Sequence, residues 1–77
     1  MTNLDKYENA FIECVDVDKD ELEGLVYQDA GWDSIGHMSL IAALEEAFNI
    51  MMDTEDIIDF SSFGKGREIL RKYDVEL

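Results

Sequence analysis

The sequence predicts an all-α fold, a small antiparallel bundle of three main helices and one short helix. Apolar residues make up 47% of the chain, which is enough for a hydrophobic core, and proline is absent. Apolar side chains recur at three- and four-residue steps in separate segments, which is the period of an amphipathic helix. Short polar residues that favour helix starts precede these segments. Residues 1–77 are therefore expected to form a single domain.

The first helix is predicted over about residues 3–15. Its apolar face is formed by Leu4, Tyr7, Phe11 and Cys14 or Val15. Thr2 and Asp5 have the spacing of a capping box, in which each side chain accepts a hydrogen bond from a free backbone amide. The helix is therefore expected to begin directly after Thr2.

Residues 16–33 are predicted to form a long loop with one short turn, because acids and two glycines interrupt the helical period. The loop residues expected to pack on the core are Leu22, Leu25, Val26 and Trp32. Aspartates alternate at positions 16, 18 and 20, as calcium ligands do. A calcium loop of this kind requires glycine and glutamate where this chain has Glu21 and Tyr27. The pattern is interpreted as a solvated acidic loop, with weak adventitious cation binding as the alternative, and no metal site is predicted.

The strongest helical pattern begins after Asp33 and continues to Phe48. Its three- and four-residue repeat consists of Ile35, Met38, Ile41, Leu44 and Phe48. A short helix carrying Ile57 and Ile58 is predicted to follow, with Asp53 or Thr54 as its cap.

The last helix is predicted over roughly residues 62–73, starting at Ser61 or Ser62. The side chains expected to reach the core are Phe63, Ile69, Leu70 and Tyr73. Basic residues lie toward its end, where the helix dipole favours cations.

The net charge of −13 argues against binding to nucleic acid or to anionic membranes, because both would repel the chain. Basic protein surfaces are the expected partners, and the protein is expected to be a monomer. No stretch approaches the ~20 apolar residues that a membrane-spanning helix needs. Cys14 is the only cysteine, which excludes an intramolecular disulfide and fits a reducing cytoplasm.

An acid, a hydroxyl and an imidazole lie within one turn, at Asp33, Ser34 and His37. The same three groups form the active site of many hydrolases, so a hydrolytic function has to be considered. Nucleophilic catalysis requires an oriented base and oxyanion donors inside a pocket that excludes water. The G-x-S-x-G arrangement is absent, since Gly31 and Gly36 lie at the wrong distances from the serine. The protein is therefore predicted not to be an enzyme, and His37 is interpreted as a surface or core-edge residue.

Ser34 has two remaining interpretations at the start of the second helix. It could assist Asp33 in capping the helix, or it could carry a phosphodiester, which the positive end of a helix would stabilise. Capping geometry alone does not separate these interpretations.

The segment "DSIGHMSLIAALEEAFNI", together with the length, acidity and four-segment layout, resembles the acyl carrier protein family over essentially the whole chain. The resemblance implies an acyl carrier protein-like fold and a non-enzymatic carrier. In that family an Asp-Ser-Leu motif opens the second helix, and its serine carries 4′-phosphopantetheine derived from coenzyme A. Here the implied attachment residue is Ser34, with Ile35 in place of the usual leucine. Asp33, directly before it, is implied as the second residue of the cofactor-binding site.

The resemblance also implies partners: a phosphopantetheinyl transferase, an acyl- or aminoacyl-loading ligase, and acyltransferases or synthases with basic docking patches. The predicted docking residues are Asp33, Ile35, Met38, Glu45 and Glu46. Gly36 and Ser39 leave the middle of this face neutral where family members usually carry acids, which favours a dedicated partner set. In this respect the chain resembles stand-alone carriers of accessory acyl or aminoacyl pathways. Fatty acid, polyketide or other secondary-metabolite, aminoacyl and surface-glycan pathways all remain open.

One function of a different class remains. The chain could be an acidic helical interaction module that binds a basic protein without any prosthetic group. A phosphopantetheine adduct would distinguish the carrier from this alternative.

Overall fold

The computed structural model describes residues 2–29 and 31–77. Its α-helices are α1 (Asn3–Cys14), α2 (Ser34–Phe48), α3 (Thr54–Asp59) and α4 (Phe63–Arg71), and a 3-10 turn spans Lys19–Glu21. The predicted fold class, a small helical bundle of three main helices and one short helix, is confirmed. In the described part of the chain, no helix combines the length and apolarity needed to cross a membrane.

Short polar side chains cap the starts of α1, α2 and α4, as predicted. At the start of α3 the predicted cap, Asp53, occupies the cap position but makes no side-chain capping bond. Thr2 and Asp5 form the reciprocal capping box of α1. The Asp33 carboxylate accepts a hydrogen bond from the Gly36 amide at the start of α2, and Asn49 ends that helix in the left-handed conformation that favours glycine and asparagine. The Ser62 hydroxyl accepts a hydrogen bond from an amide in the first turn of α4.

The centre of the bundle is a cluster of aromatic rings. Its buried members are Tyr7, Phe11, Trp32, Phe60 and Phe63. The Tyr7 hydroxyl donates a hydrogen bond to the Phe63 carbonyl, which ties α1 to α4. Burial raises the pKa of Tyr7, so the hydroxyl stays protonated and keeps donating. The prediction that Val26 packs on the core is wrong, since 44% of that residue is exposed.

Gly36 does not lie on the exposed docking face where the sequence pattern placed it. It is buried, and a β-carbon there would lie 2.7 Å from the Gly31 carbonyl oxygen and 3.4 Å from that of Cys14. Glycine is therefore explained by the close approach of α2 to the preceding loop and to the end of α1. The small side chain is a packing requirement of the bundle.

Asp56 is the buried charged residue of the described core, and it connects α3 to the end of α4. Its carboxylate accepts hydrogen bonds from the Lys72 ammonium, at 2.6 Å, and from the Tyr73 hydroxyl. These bonds hold the pKa of the Asp56 carboxyl below its usual range. The Tyr73 hydroxyl also accepts a hydrogen bond from the Asp53 amide at 2.9 Å, so two polar contacts anchor the start of α3.

Three exposed carboxylates come together in the acidic loop. One oxygen from each of Asp18, Asp20 and Glu21 lies within 4.8 Å of the others. Like charges this close repel one another, and the whole chain carries a charge of −13.

Moderate salt, or millimolar magnesium or calcium, is therefore expected to raise the melting temperature by screening this repulsion. Because the effect is nonspecific, magnesium and calcium should act within about tenfold of each other in concentration. Thermal unfolding at fixed ionic strength measures the response, and Asp18→Asn should reduce it. Stabilisation by micromolar calcium alone would reveal a genuine calcium site, whereas no response to any ion would show that self-repulsion is small.

Candidate functional site

Ser34 is the first residue of α2, and it is exposed. The capping bond at this position belongs to Asp33, whose Oδ1 lies 2.7 Å from the Gly36 nitrogen. Among the described residues, the Ser34 hydroxyl makes no hydrogen bond. The geometry therefore assigns capping to the aspartate and leaves the serine oxygen accessible.

The backbone around Ser34 favours an anion. The first amides of an α-helix have no intrahelical partner, and the helix dipole adds partial positive charge at the same end. The His37 amide and the Gly36 amide are bonded to Asp33, which leaves the Ser34 and Ile35 amides directed toward the helix start. A phosphodiester on Ser34 would lie beside these two donors.

An apolar groove of about 370 Å³ opens beside Ser34 between α2, α3 and the long loop. Its wall is formed by Tyr27, Ser34, His37, Met38, Ile57, Ile58, Phe60 and Ser61. Volumes of this size are at the lower end of the range for small-molecule sites. The serine therefore lies on the edge of a surface that can accommodate an attached group.

His37 connects the loop before α2 to α3. The Trp32 indole nitrogen donates to His37 Nδ1 at 2.9 Å, and His37 Nε2 lies 2.8 Å from the Ile57 carbonyl oxygen. An indole nitrogen only donates and a carbonyl only accepts, so the imidazole is neutral with its proton on Nε2. Both ring nitrogens are occupied, and His37 is not positioned to take a proton from Ser34. Of the two positions expected for His37, the surface or the edge of the core, the half-buried residue occupies the second.

Replacing His37 by alanine is expected to destabilise the fold by about 1–3 kcal/mol, because the buried Trp32 nitrogen loses its acceptor. His37→Gln keeps one donor and one acceptor and should retain part of the stability. Chemical denaturation of the two variants measures the difference. Equal loss in both variants would show that ring packing, and not hydrogen bonding, is the main contribution of His37.

The predicted docking residues form a stripe that starts at the serine. Ile35 and Met38 are 78% and 58% exposed, and Asp33 and Glu46 are also exposed. Residues 35 and 46 are eleven positions apart, about three helical turns, so they share one face. Glu45 differs from the others, because its carboxylate accepts a hydrogen bond from the Met52 amide at 2.9 Å.

The sequence analysis did not predict that some of the residues lining the groove would lie beside Ser34. Tyr27 and Ser61 meet because the Tyr27 amide donates to the Ser61 carbonyl at 2.8 Å, a contact between two loops that no periodicity reveals. Ile57 and Ile58 lie on α3 as predicted, and Ile58 is 73% exposed at the groove. The sequence contained one signal of this exposure. Adjacent residues on a helix point in different directions, so one of the two isoleucines on this short helix is expected to face away from the core.

A small helical bundle with an accessible serine at a helix start, next to an apolar groove, has the features of a carrier domain. Residues 11–65 match the protein family described as phosphopantetheine attachment site, and this match covers more than half of the chain. The chain therefore belongs to that family. Carrier domains of this family hold covalently attached 4′-phosphopantetheine and are not catalysts. Comparisons with the curated proteins and with the solved structures gave no match.

Proposed function

We propose that this protein is an acyl carrier protein that holds an acyl or aminoacyl thioester on a 4′-phosphopantetheine arm attached to Ser34. One observation carries the proposal. The Ser34 hydroxyl at the start of α2 is exposed and makes no hydrogen bond within the described residues, in a chain of the phosphopantetheine attachment family. Asp33 already caps the helix, so a modified serine removes no contact from the fold. Residues 1–77 are proposed to act as one carrier domain.

In the proposed modification, the Ser34 oxygen attacks the phosphorus of coenzyme A that bears the pantetheine. The P–O–P bridge breaks, adenosine 3′,5′-bisphosphate leaves, and the hydroxyl proton passes to the transferase. The new phosphodiester keeps a negative charge, which the first amides of α2 stabilise. The arm supplies the thiol for the thioester, and tethering raises the concentration of its cargo at each docked active site.

The proposed partners are a phosphopantetheinyl transferase, a loading ligase, and acyltransferases or synthases with basic docking patches. The net charge of −13 and the exposed stripe along α2 support this choice. The protein is proposed to act as a monomer in the cytoplasm, where its single thiol, Cys14, stays reduced. The cargo can belong to fatty acid, polyketide, aminoacyl or surface-glycan synthesis.

The test is the intact mass of the protein after incubation with coenzyme A, magnesium and a broad-specificity phosphopantetheinyl transferase. A carrier gains the mass of one phosphopantetheine group, and the gain depends on all three components. An acidic interaction module without a prosthetic group would keep its original mass. That outcome would refute the carrier proposal.

Reversing the charge at Glu46 is expected to slow modification, because a cationic patch on the transferase would meet a lysine. Exposed charge pairs mainly raise association rates and are screened by salt, so the defect should shrink as ionic strength increases. Glu46 is the cleaner probe than Glu45, whose carboxylate also holds the loop after α2.

The matched control is Glu68→Lys, which makes the same charge change at an exposed position of α4. Initial modification rates at low and high salt give the comparison. If the two variants are slowed equally, net charge controls the rate and Glu46 is not part of the docking surface.

A further inference from the structure

The apolar groove beside Ser34 can receive the cargo of the proposed carrier. We infer that this cargo is a short acyl group with a hydrogen-bonding substituent, such as a hydroxyl or an amine, and not a long saturated chain. The inference rests on the proposed function and deepens it by naming a substrate class. Three features of the molecule carry it: a filled interior, an anchored α3, and two hydroxyl-bearing residues in the groove lining.

The interior behind the groove is occupied by aromatic rings. Phe60 lines the groove and is 1% exposed. Its ring centroid lies 6.1 Å from that of Phe11 and 6.2 Å from that of Trp32. A long chain that entered the bundle would have to displace Phe60 from this packing. Overfilling a well-packed core is destabilising, so the interior favours cargo that stays in the groove.

The outer wall of the groove is held in place from several sides. His37 donates to the Ile57 carbonyl at 2.8 Å and fixes α3 to α2. On the other side of α3, the Asp56 carboxylate is bonded to Lys72 and Tyr73. Moving α3 outward to enlarge the groove would break these bonds and leave a buried carboxylate without its partners. The groove is therefore expected to keep its size.

Two residues of the groove lining, Tyr27 and Ser61, carry hydroxyl groups with unused hydrogen-bonding capacity. Tyr27 and Ser61 are adjacent, since the Tyr27 amide donates to the Ser61 carbonyl at 2.8 Å. Within the described residues, neither hydroxyl makes a hydrogen bond. A purely hydrocarbon chain covering them would remove water without replacing its hydrogen bonds, whereas a polar substituent would replace them.

The test uses a transferase that accepts acyl-coenzyme A analogues to load butyryl, hydroxybutyryl, octanoyl and hexadecanoyl groups onto the protein. Intact mass verifies each product, and thermal unfolding compares them. Hydroxybutyryl should raise the melting temperature by a few degrees over butyryl, the size expected of one hydrogen bond in a small domain. Octanoyl and hexadecanoyl should give no increase over butyryl. In Tyr27→Phe, which keeps the ring, the difference between hydroxybutyryl and butyryl should shrink or disappear.

A melting temperature that rises steadily with chain length to hexadecanoyl would overturn the inference, because it would show that the bundle encloses long chains. Equal values for all four groups would also overturn it, since the groove would then select nothing. Failure of every analogue to add mass would instead refute the carrier proposal itself. The mass measurement therefore separates failure of the carrier from failure of the cargo assignment.

Discussion

Gly66→Ala is expected to destabilise the protein by about 1–3 kcal/mol, although alanine is the better helix former. A β-carbon at position 66 would overlap the ring of Phe60 and the hydroxyl oxygen of Tyr7, and it would lie 2.7 Å from Phe60 Cε1. Both rings are buried, and the Tyr7 hydroxyl is fixed by its bond to the Phe63 carbonyl. Neither side chain can move without disturbing the aromatic cluster, so the overlap outweighs the gain in helix propensity.

Gly64 provides the matched control two residues earlier in α4. Outside its chain neighbours and the backbone of its own helix, a β-carbon there would have no heavy atom within 4 Å. Gly64→Ala should therefore stabilise the protein by up to about 1 kcal/mol through helix propensity alone. Denaturant unfolding of both variants should give opposite signs. The same sign in both would mean that the contact between α4 and the aromatic cluster is looser than the structure shows.

Ser34→Ala should abolish modification completely while leaving stability almost unchanged. The loss is absolute because the phosphodiester needs the serine oxygen. Stability should be retained because Asp33, and not Ser34, accepts the capping bond from the Gly36 amide. Intact mass and thermal unfolding of the same sample measure the two effects together.

Ser39→Ala is the control, because it removes another exposed serine from the same helix. This variant should be modified at the rate of the unchanged protein. Asp33→Ala should lose about 1 kcal/mol of stability from the missing cap, and its modification should also slow, because Asp33 is one of the proposed docking residues. Modification of the Ser34→Ala protein would move the attachment site elsewhere in the chain.

The sequence predicted the helices because their signals are local. The Thr2 capping box, the Asp33 cap and the Ser62 cap each depend on residues within a few positions. Helix starts and ends were therefore predicted to within one or two residues. The helix start at Ser34 was also a local prediction, whereas the proposed attachment of the arm to this serine came from the resemblance to acyl carrier proteins.

The errors concern contacts between distant segments. Gly36 was assigned to the exposed face because its packing partners, Gly31 and Cys14, lie in other elements. The groove depends on Tyr27 meeting Ser61 across two loops, and a periodic pattern contains no information on that pairing. The buried Asp56 was not predicted either, because only the folded chain shows that Lys72 and Tyr73 reach it.

Peptide mapping of the modified, unmutated protein tests the attachment of the arm most directly. Cleavage after Glu23 and Glu45 releases a segment with only two serines, Ser34 and Ser39, and no threonine. Fragmentation of this segment by tandem mass spectrometry identifies which hydroxyl carries the phosphopantetheine. The carrier account predicts the whole added mass on Ser34. An adduct on Ser39 or outside this segment, or an unmodified segment from fully treated protein, would contradict it.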